Sequence, residues 1–254
     1  MQFVFDLDGT ICFKGRPISE TILCAIEQIE AERHEVIFAS ARPIRDMLPV
    51  LHERFHRHTL IGGNGALVSQ QGTVTFAEAF TKEQAAALLQ LITEHEATYL
   101  IDSDWDYAYT GPADHPILRQ VDTARLAKQV DVASLSTYVK MLLLTATDME
   151  RLSERLSALD VIVHRHRNEN VVDISPAGIH KWNALKQVGV AEQAFVAFGN
   201  DANDIPMFRT ARHAVMIGHH DELAPYAAEV LALDEQIEAK VADKLIELAR
   251  RSWQ

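Results

Sequence analysis

Along the first part of the chain, short apolar runs that each end on a polar or glycine residue alternate with stretches of helical periodicity. Gln2 to Phe5 is such a run and stops at Asp6. A buried parallel strand that delivers a carboxylate at its C-terminal end has this form. From Ser19, a candidate cap, Ile22, Ile26 and Ile29 recur at helical spacing and predict a helix to about Arg33. Glu35 to Ala39 predicts the next strand, ending at Ser40, and Pro43 stands where it can open a helix reaching about Phe55. Thr59 to Ile61 then leads into Gly62-Gly63-Asn64-Gly65, a turn that neither a helix nor a strand would carry. Strand, helix, strand, helix, strand in that order predicts a parallel sheet covered by helices.

The pattern then changes. Ala66 to Ser69 and Val74 to Phe76 flank a turn and predict a hairpin. A helix over 82–95 follows, then strands at 98–101, 107–109 and 139–144, a helix over 149–159, and strands at 161–164 and 171–174. Helix and strand in this arrangement predict antiparallel pairing in a separate α+β unit. From Lys181 the parallel pattern returns: helix 181–188, strand 194–198, a helix after Asp204, strand 214–217, and a last helix from about Gln236. The expected fold class is therefore α/β, a doubly wound parallel-sheet core over 1–80 and 169–254, with an α+β cap inserted over 81–168.

Composition narrows the function. The 254 residues suffice for two compact units, and a hydrophobic content of 48% is enough for real cores. The formal charge of −12 disfavours nucleic acid or an anionic membrane as partner, since both are polyanions. A phosphorylated ligand would need a local cation, either a metal ion or converging basic side chains. Cys12 and Cys24 are too few for a disulfide framework or a four-thiolate zinc site, and read as reduced thiols. With no basic leader and no long apolar segment, the expectation is a cytoplasmic protein.

Candidate chemistry starts at Asp6-Leu7-Asp8-Gly9-Thr10, directly after the first strand. Two carboxylates at i and i+2 beyond a strand end can both face the crevice where open α/β sheets bind ligands, and Gly9 permits the turn. One could attack phosphorus and bind a metal while the other exchanges a proton with the leaving oxygen and then with water. The pentapeptide resembles the first motif of the haloacid dehalogenase superfamily, in its Cof-type sugar-phosphatase branch. The resemblance implies Asp6 as nucleophile and Mg²⁺ ligand. It implies Asp8 as general acid/base, touching the metal through its main-chain carbonyl, and Thr10 as support for the loop.

The later motifs follow in the family's order. Ser40, in Ala39-Ser40-Ala41-Arg42-Pro43, falls on the second motif, usually Thr-Gly-Arg-Pro, and a hydroxyl beside a helix N-terminus can donate to a phosphate oxygen. Pro176-Ala177-Gly178-Ile179-His180-Lys181 resembles the third motif, in which Lys181 stabilises the phosphoryl charge, although Trp182 replaces the usual Gly. Gly199-Asn200-Asp201-Ala202-Asn203-Asp204 resembles the fourth, Gly-Asp-x-x-Asn-Asp, with Asn200 where the first metal-binding Asp usually stands. An amide oxygen can ligate magnesium but adds no charge. Either Asn200 ligates, with Asp204 as a close supporting carboxylate, or Asp201 or Asp204 takes its place. Asn64 lies in a segment like the branch's Asn-Gly-Ala turn.

The implied catalytic set is thus Asp6, Asp8, Ser40 and Lys181, and the implied metal set is Asp6, Asp8, Asn200 and Asp204. The implied substrate-binding set is Thr10, Ser40, Arg42, Asn64, Lys181 and Asn203, and the substrate is a small phosphorylated metabolite. A phosphomutase, or a phospholigand-binding regulatory protein with weak turnover, is the alternative. The cap, placed as the family's second type, carries no motif; a basic run His164-Arg165-His166-Arg167 and a second patch at Trp105 and Tyr107 are its candidates for reading the leaving group.

Overall fold

The computed structural model describes residues 1–166 and 171–253. Strands β1 (Gln2–Phe5), β2 (Glu35–Ala39) and β3 (Thr59–Gly62) alternate with helices α1 (Glu20–Ala31) and α2 (Ile44–Met47). The antiparallel strands β4 (Leu67–Gln70) and β5 (Thr73–Ala77) extend the same sheet. The chain then builds a second body from α3 (Lys82–Glu94), β6 (Thr98–Asp102), β7 (Tyr107–Tyr109), β8 (Lys140–Thr145), α4 (Met149–Leu156), β9 (Val161–His166) and β10 (Val171–Pro176). It returns through α5 (Lys181–Gln187), β11 (Phe195–Gly199), α6 (Ile205–Phe208), β12 (His213–Ile217), β13 (Glu229–Leu231) and α7 (Ile237–Ala249).

The first sheet has the order β13-β12-β11-β1-β2-β3-β4-β5, and every pairing from β13 to β3 is parallel. Chain order reverses between β1 and β11, which puts the crevice of a doubly wound sheet beyond the ends of those two strands. Helices α1 and α7 cover one face, where Phe5 packs against Phe38 and Phe198 at ring separations of 6.1 and 5.1 Å. The second sheet, β7-β6-β8-β10-β9, is antiparallel throughout and buries one face against α3 and α4.

Two expectations are corrected. The helix expected from Pro43 to Phe55 is a single turn with Pro43 as its N-cap, followed by a separate 3-10 turn at Glu53–Phe55. Pro49 lacks the N–H and would clash with the preceding turn, so α2 cannot continue through it. The boundary at residue 168 also falls short. β10 pairs with β8 and β9 and buries Val172 and Ile174 in the second core, which carries the second sheet on to Pro176. The edge strand β13 went unforeseen, being three residues long with Val230 exposed.

The chain enters and leaves the second body at one place. On the way out, Glu78 N–H donates to Ala66 O at 2.7 Å. On the way back, His180 O lies against Gly65, where φ is +112° and a methyl group would sit 2.7 Å from that oxygen. The bodies are also joined by a charge. Arg45 on α2 is buried and pairs with Asp102 of β6 and with Asp46, donates to Trp105 O at 2.8 Å, and lies 4.7 Å from the Tyr107 ring. Asp46 in turn accepts from Asp122 N–H at 2.7 Å. Burial would lower the Arg45 pKa, but Asp102 and Asp46 hold it above its usual value. Arg45→Ala strands two carboxylates in the interior and should lower unfolding stability by about 3–5 kcal/mol in urea titrations; a loss under about 1 kcal/mol would mean that the joint does not depend on this charge.

Candidate active site

Asp6 extends β1 beyond its last apolar residue, with its N–H donating to Phe198 O at 3.0 Å. Its carboxylate is therefore delivered at the crevice, next to the end of β11. One oxygen, Oδ1, accepts from Lys181 Nζ at 2.6 Å; the other, Oδ2, accepts from Thr10 Oγ1 at 2.9 Å. Lys181, in the first turn of α5 and fully buried, also donates to Asp204 Oδ1 at 2.6 Å. Asp204 Oδ2 accepts from the N–H groups of Asn200 and Asp201 at 2.9 and 3.2 Å and so shapes the loop after β11.

Electrostatics follow from this burial. Desolvation pushes Asp6 up to about 7, with Lys181 opposing the rise and Asp204 adding to it. Desolvation would discharge Lys181, but Asp204 and Asp6 hold its pKa above the usual value. The ammonium is a fixed charge under the crevice.

The Asn200 side chain reaches toward Asp6. Its Oδ1 lies 3.2 Å from Thr10 Oγ1, the same hydroxyl that donates to Asp6. One hydroxyl proton serves one acceptor well, so two oxygens converge here with a single donor between them. Gly9, at φ +78°, lets the loop pass this close, since a Cβ there would collide with the Asn200 amide. Asp201 turns elsewhere, accepting from Ala202 N–H at 2.6 Å and pairing with His220 at 3.2 Å. Both oxygens of Asp204 are engaged as described. Among the described residues no three His, Cys, Asp or Glu side chains gather as a metal-holding group. The converging donors are Asp6 and the Asn200 amide, an all-oxygen pair of the kind that suits a hard cation.

A second group lies on the β2 side. Ser40 Oγ accepts from Arg42 N–H at 3.1 Å, and the Arg42 guanidinium grips both oxygens of Asp8 at 2.6 Å each. Asp8 is half-exposed and Arg42 largely covered. A third contact joins Asn203 Nδ2 to Asn64 Oδ1 at 3.0 Å, with Asn64 in the left-handed region at φ 59°. Asp6, Thr10, Lys181, Asn200 and Asp204 thus form one hydrogen-bonded unit, Asp8, Arg42 and Ser40 another, and Asn64 with Asn203 a third. Cys12, nearby, is buried with its thiol pushed up to about 12 by desolvation and then by Asp8, which leaves it inert.

Above these groups is a cavity that the sequence reading missed. One part, about 360 Å³, is lined by Asn64 and Asn203 from the first body and Lys140, Asp173 and His164 from the second. A contiguous part, about 290 Å³, reaches Asp8 and Arg42. The signal was available: Lys140 and Asp173 are single charges inside otherwise apolar strands. Of the basic run, His164 lines the cavity, whereas Arg167 lies outside the described residues, as do the side chains of Arg165 and His166.

Comparison with known proteins agrees with the fold. A sequence profile of the haloacid dehalogenase-like hydrolases matches residues 3–243. A 5-amino-6-(5-phospho-D-ribitylamino)uracil phosphatase of Bacillus subtilis strain 168 is 24% identical over 91% of this chain and 92% of its own. An HMP-PP phosphatase of Serratia proteamaculans strain 568 is 24% identical over 85% and 82% of the two chains. Among solved structures, BT4131, described as a HAD subclass IIB sugar phosphatase, superposes with a TM-score of 0.76 at 18% identity, covering 97% of this chain and 98% of that one. TM0651 of Thermotoga maritima gives a TM-score of 0.78 at 23% identity, covering 100% and 98%. With its profile matched almost end to end, the chain belongs to the haloacid dehalogenase-like hydrolase family and is a phosphatase.

Proposed function

We propose that this phosphatase hydrolyses a small phosphorylated metabolite, a sugar phosphate or a compound of similar size, through a covalent phosphoryl-enzyme on Asp6 with Mg²⁺ beside it. The observation that carries the reading is the setting of the Asp6 carboxylate. One oxygen is on the buried Lys181 ammonium, and the other shares the Thr10 hydroxyl with Asn200 Oδ1. The substrates for which the similar proteins are named, a phosphorylated ribitylaminouracil, HMP-PP and a sugar phosphate, are small and support the size class.

In the first step an Asp6 oxygen attacks phosphorus in line as the bond to the leaving oxygen breaks, and Asp8 gives that oxygen a proton. In the second, Asp8 takes a proton from water, which attacks phosphorus and releases inorganic phosphate and the free Asp6 carboxylate. Arg42 fixes the direction in which Asp8 faces. Ser40 and Lys181 donate to the phosphoryl oxygens; Lys181 has three hydrogens, of which Asp6 and Asp204 take two. Asp6, the Asp8 carbonyl and Asn200 would hold the ion, with Asp204 bracing the loop, and Mg²⁺ supplies there the positive charge that lets a dianion approach a protein of net charge −12.

Asp6→Asn removes the nucleophile and a metal charge together, so phosphate release should fall by about a thousandfold or more while circular dichroism stays unchanged. A variant keeping more than about a hundredth of the rate would exclude the covalent role. Excess chelator should abolish turnover.

Titrating Mg²⁺ against activity tests the amide. Asn200→Asp should lower the half-saturating concentration and Asn200→Ala should raise it, because a full charge beside the ion outweighs an amide dipole. If both variants titrate like the parent protein, the ligand is Asp201 or Asp204 instead.

The proton and the cation compete for Asp6, whose burial sets its pKa near 7 in the metal-free protein. Below that pH the carboxyl holds a proton that the ion must displace; above it the anion is ready. The half-saturating Mg²⁺ concentration should therefore rise by roughly tenfold per pH unit below 7 and level off above it. A flat dependence between pH 5.5 and 8 would place the ion away from Asp6.

A further inference from the structure

The turn that carries Ser40 and Arg42 is held by both bodies, through three consecutive carbonyls. Ser40 O accepts from Asn64 N–H at 2.9 Å and Arg42 O from Gly63 N–H at 2.8 Å, both within the first body. The middle one, Ala41 O, accepts from Lys140 Nζ of the second body at 3.2 Å. The peptide unit it belongs to is gripped at its other end as well, where Arg42 N–H donates to Ser40 Oγ at 3.1 Å. A peptide unit is planar, so fixing its carbonyl also fixes its N–H and the point from which the Arg42 side chain sets out.

That starting point governs Asp8. Arg42 Nε and Nη2 hold the two Asp8 oxygens, and Arg42 Nη1 donates to Asp46 O at 3.3 Å. The second body also takes the far end of this segment, where Asp102 pairs with Arg45. Asp102 and Lys140 stand opposite each other across β6 and β8, so two neighbouring residues of one sheet reach Ala41 and Arg45 together. Lys140 is itself buried, and donates to Asp173 Oδ2 at 2.9 Å beside its bond to Ala41. Held in this way, its Nζ is a defined anchor and not a loose surface charge.

From these contacts, and resting on the phosphatase reading above, we infer that Lys140 is a positioning residue for the proton transfer. Through Ala41 and Arg42 it aims the Asp8 carboxyl at the leaving oxygen. The second body then takes part in the chemistry as well as covering the site.

Phenyl phosphate and p-nitrophenyl phosphate separate the proton donor from the rest of the site. The two are alike in shape, but p-nitrophenolate departs readily without a proton and phenolate does not. Their kcat/KM values report the first phosphoryl transfer and leave out hydrolysis of the intermediate. Asp8→Asn should lower kcat/KM for phenyl phosphate by about a hundredfold more than for p-nitrophenyl phosphate. Lys140→Met should move the same ratio in the same direction by about tenfold. In the Asp8→Asn background it should move the ratio no further, because both changes act through one carboxyl. The folded fraction cancels in the ratio, so a loss of stability does not mimic the effect. Should Lys140→Met alone not fold, Lys140→Met combined with Asp173→Asn, neutral at both positions, is read by the same ratio. Two rates that fall alike, or a shift that persists without Asp8, overturn the inference and leave Lys140 a fold-holding or leaving-group contact. If Asp8→Asn itself leaves the ratio unchanged, or turnover survives Asp6→Asn, the mechanism proposed above falls and this inference with it.

Discussion

The site is organised by one ammonium group buried between two carboxylates. Lys181 is wholly out of water, and Asp6 and Asp204 each take one of its hydrogens at 2.6 Å. A charge in that position is tolerable only when it is paired, and truncating either partner would leave the other groups uncompensated in a low-dielectric interior. The constraint fixes three separate pieces of chain relative to one another: the end of β1, the start of α5, and the loop after β11. Asp204 passes it on through the N–H groups of Asn200 and Asp201, which in turn sets where the Asn200 amide points. The Asp6 carboxylate owes both its direction and its elevated proton affinity to the same arrangement, with burial raising the pKa to about 7 against the pull of the ammonium.

Much of this was legible in the residues. The alternation of apolar runs and helical stretches predicted the parallel core, because buried parallel strands leave a continuous hydrophobic imprint. Asp6 and Asp8 stood out at the end of a strand, whereas Ser40, Lys181 and Asp204 were singled out by the resemblance of their segments to the family's motifs; the structure joins Asp6, Lys181 and Asp204 in one hydrogen-bonded unit. What escaped depended on long-range contacts. Asn200 already stood in the expected metal set with Asp201 as its alternative; the contacts that turn the Asn200 amide toward Thr10 and Asp6, and Asp201 toward His220, are the long-range part. Arg45 belongs to no motif, and only its pairing with Asp102 of β6 makes it a buried joint. The helix through Pro49 was an error of a different kind, since the breaker was visible and its steric consequence decides the matter.

The second body shows where local pattern stops being informative. Its fold followed from alternation, which also gave it the strand at 171–174, but the boundary drawn at 168 cut that strand off from the sheet in which β10 pairs with β8 and β9. Lys140 and Asp173 sit on neighbouring strands of that sheet and face the first body's loop at Ala41. A charged residue inside an apolar strand is a conflict between local preference and environment, and such conflicts concentrate where a surface is reserved for a ligand.

The two crossings between the bodies have a consequence for the architecture's history and its engineering. Departure at Glu78 and return at His180 both rest on the Gly65–Ala66 backbone. The gap that the first sheet must close is therefore a few ångströms wide however long the intervening polypeptide is, and the entropic penalty of closing it barely depends on that length. A scaffold broken at a point where its two ends already touch behaves as a socket. Segments of other sizes and shapes can be exchanged there while the parallel strands keep their register, as domain insertion at closely spaced termini allows.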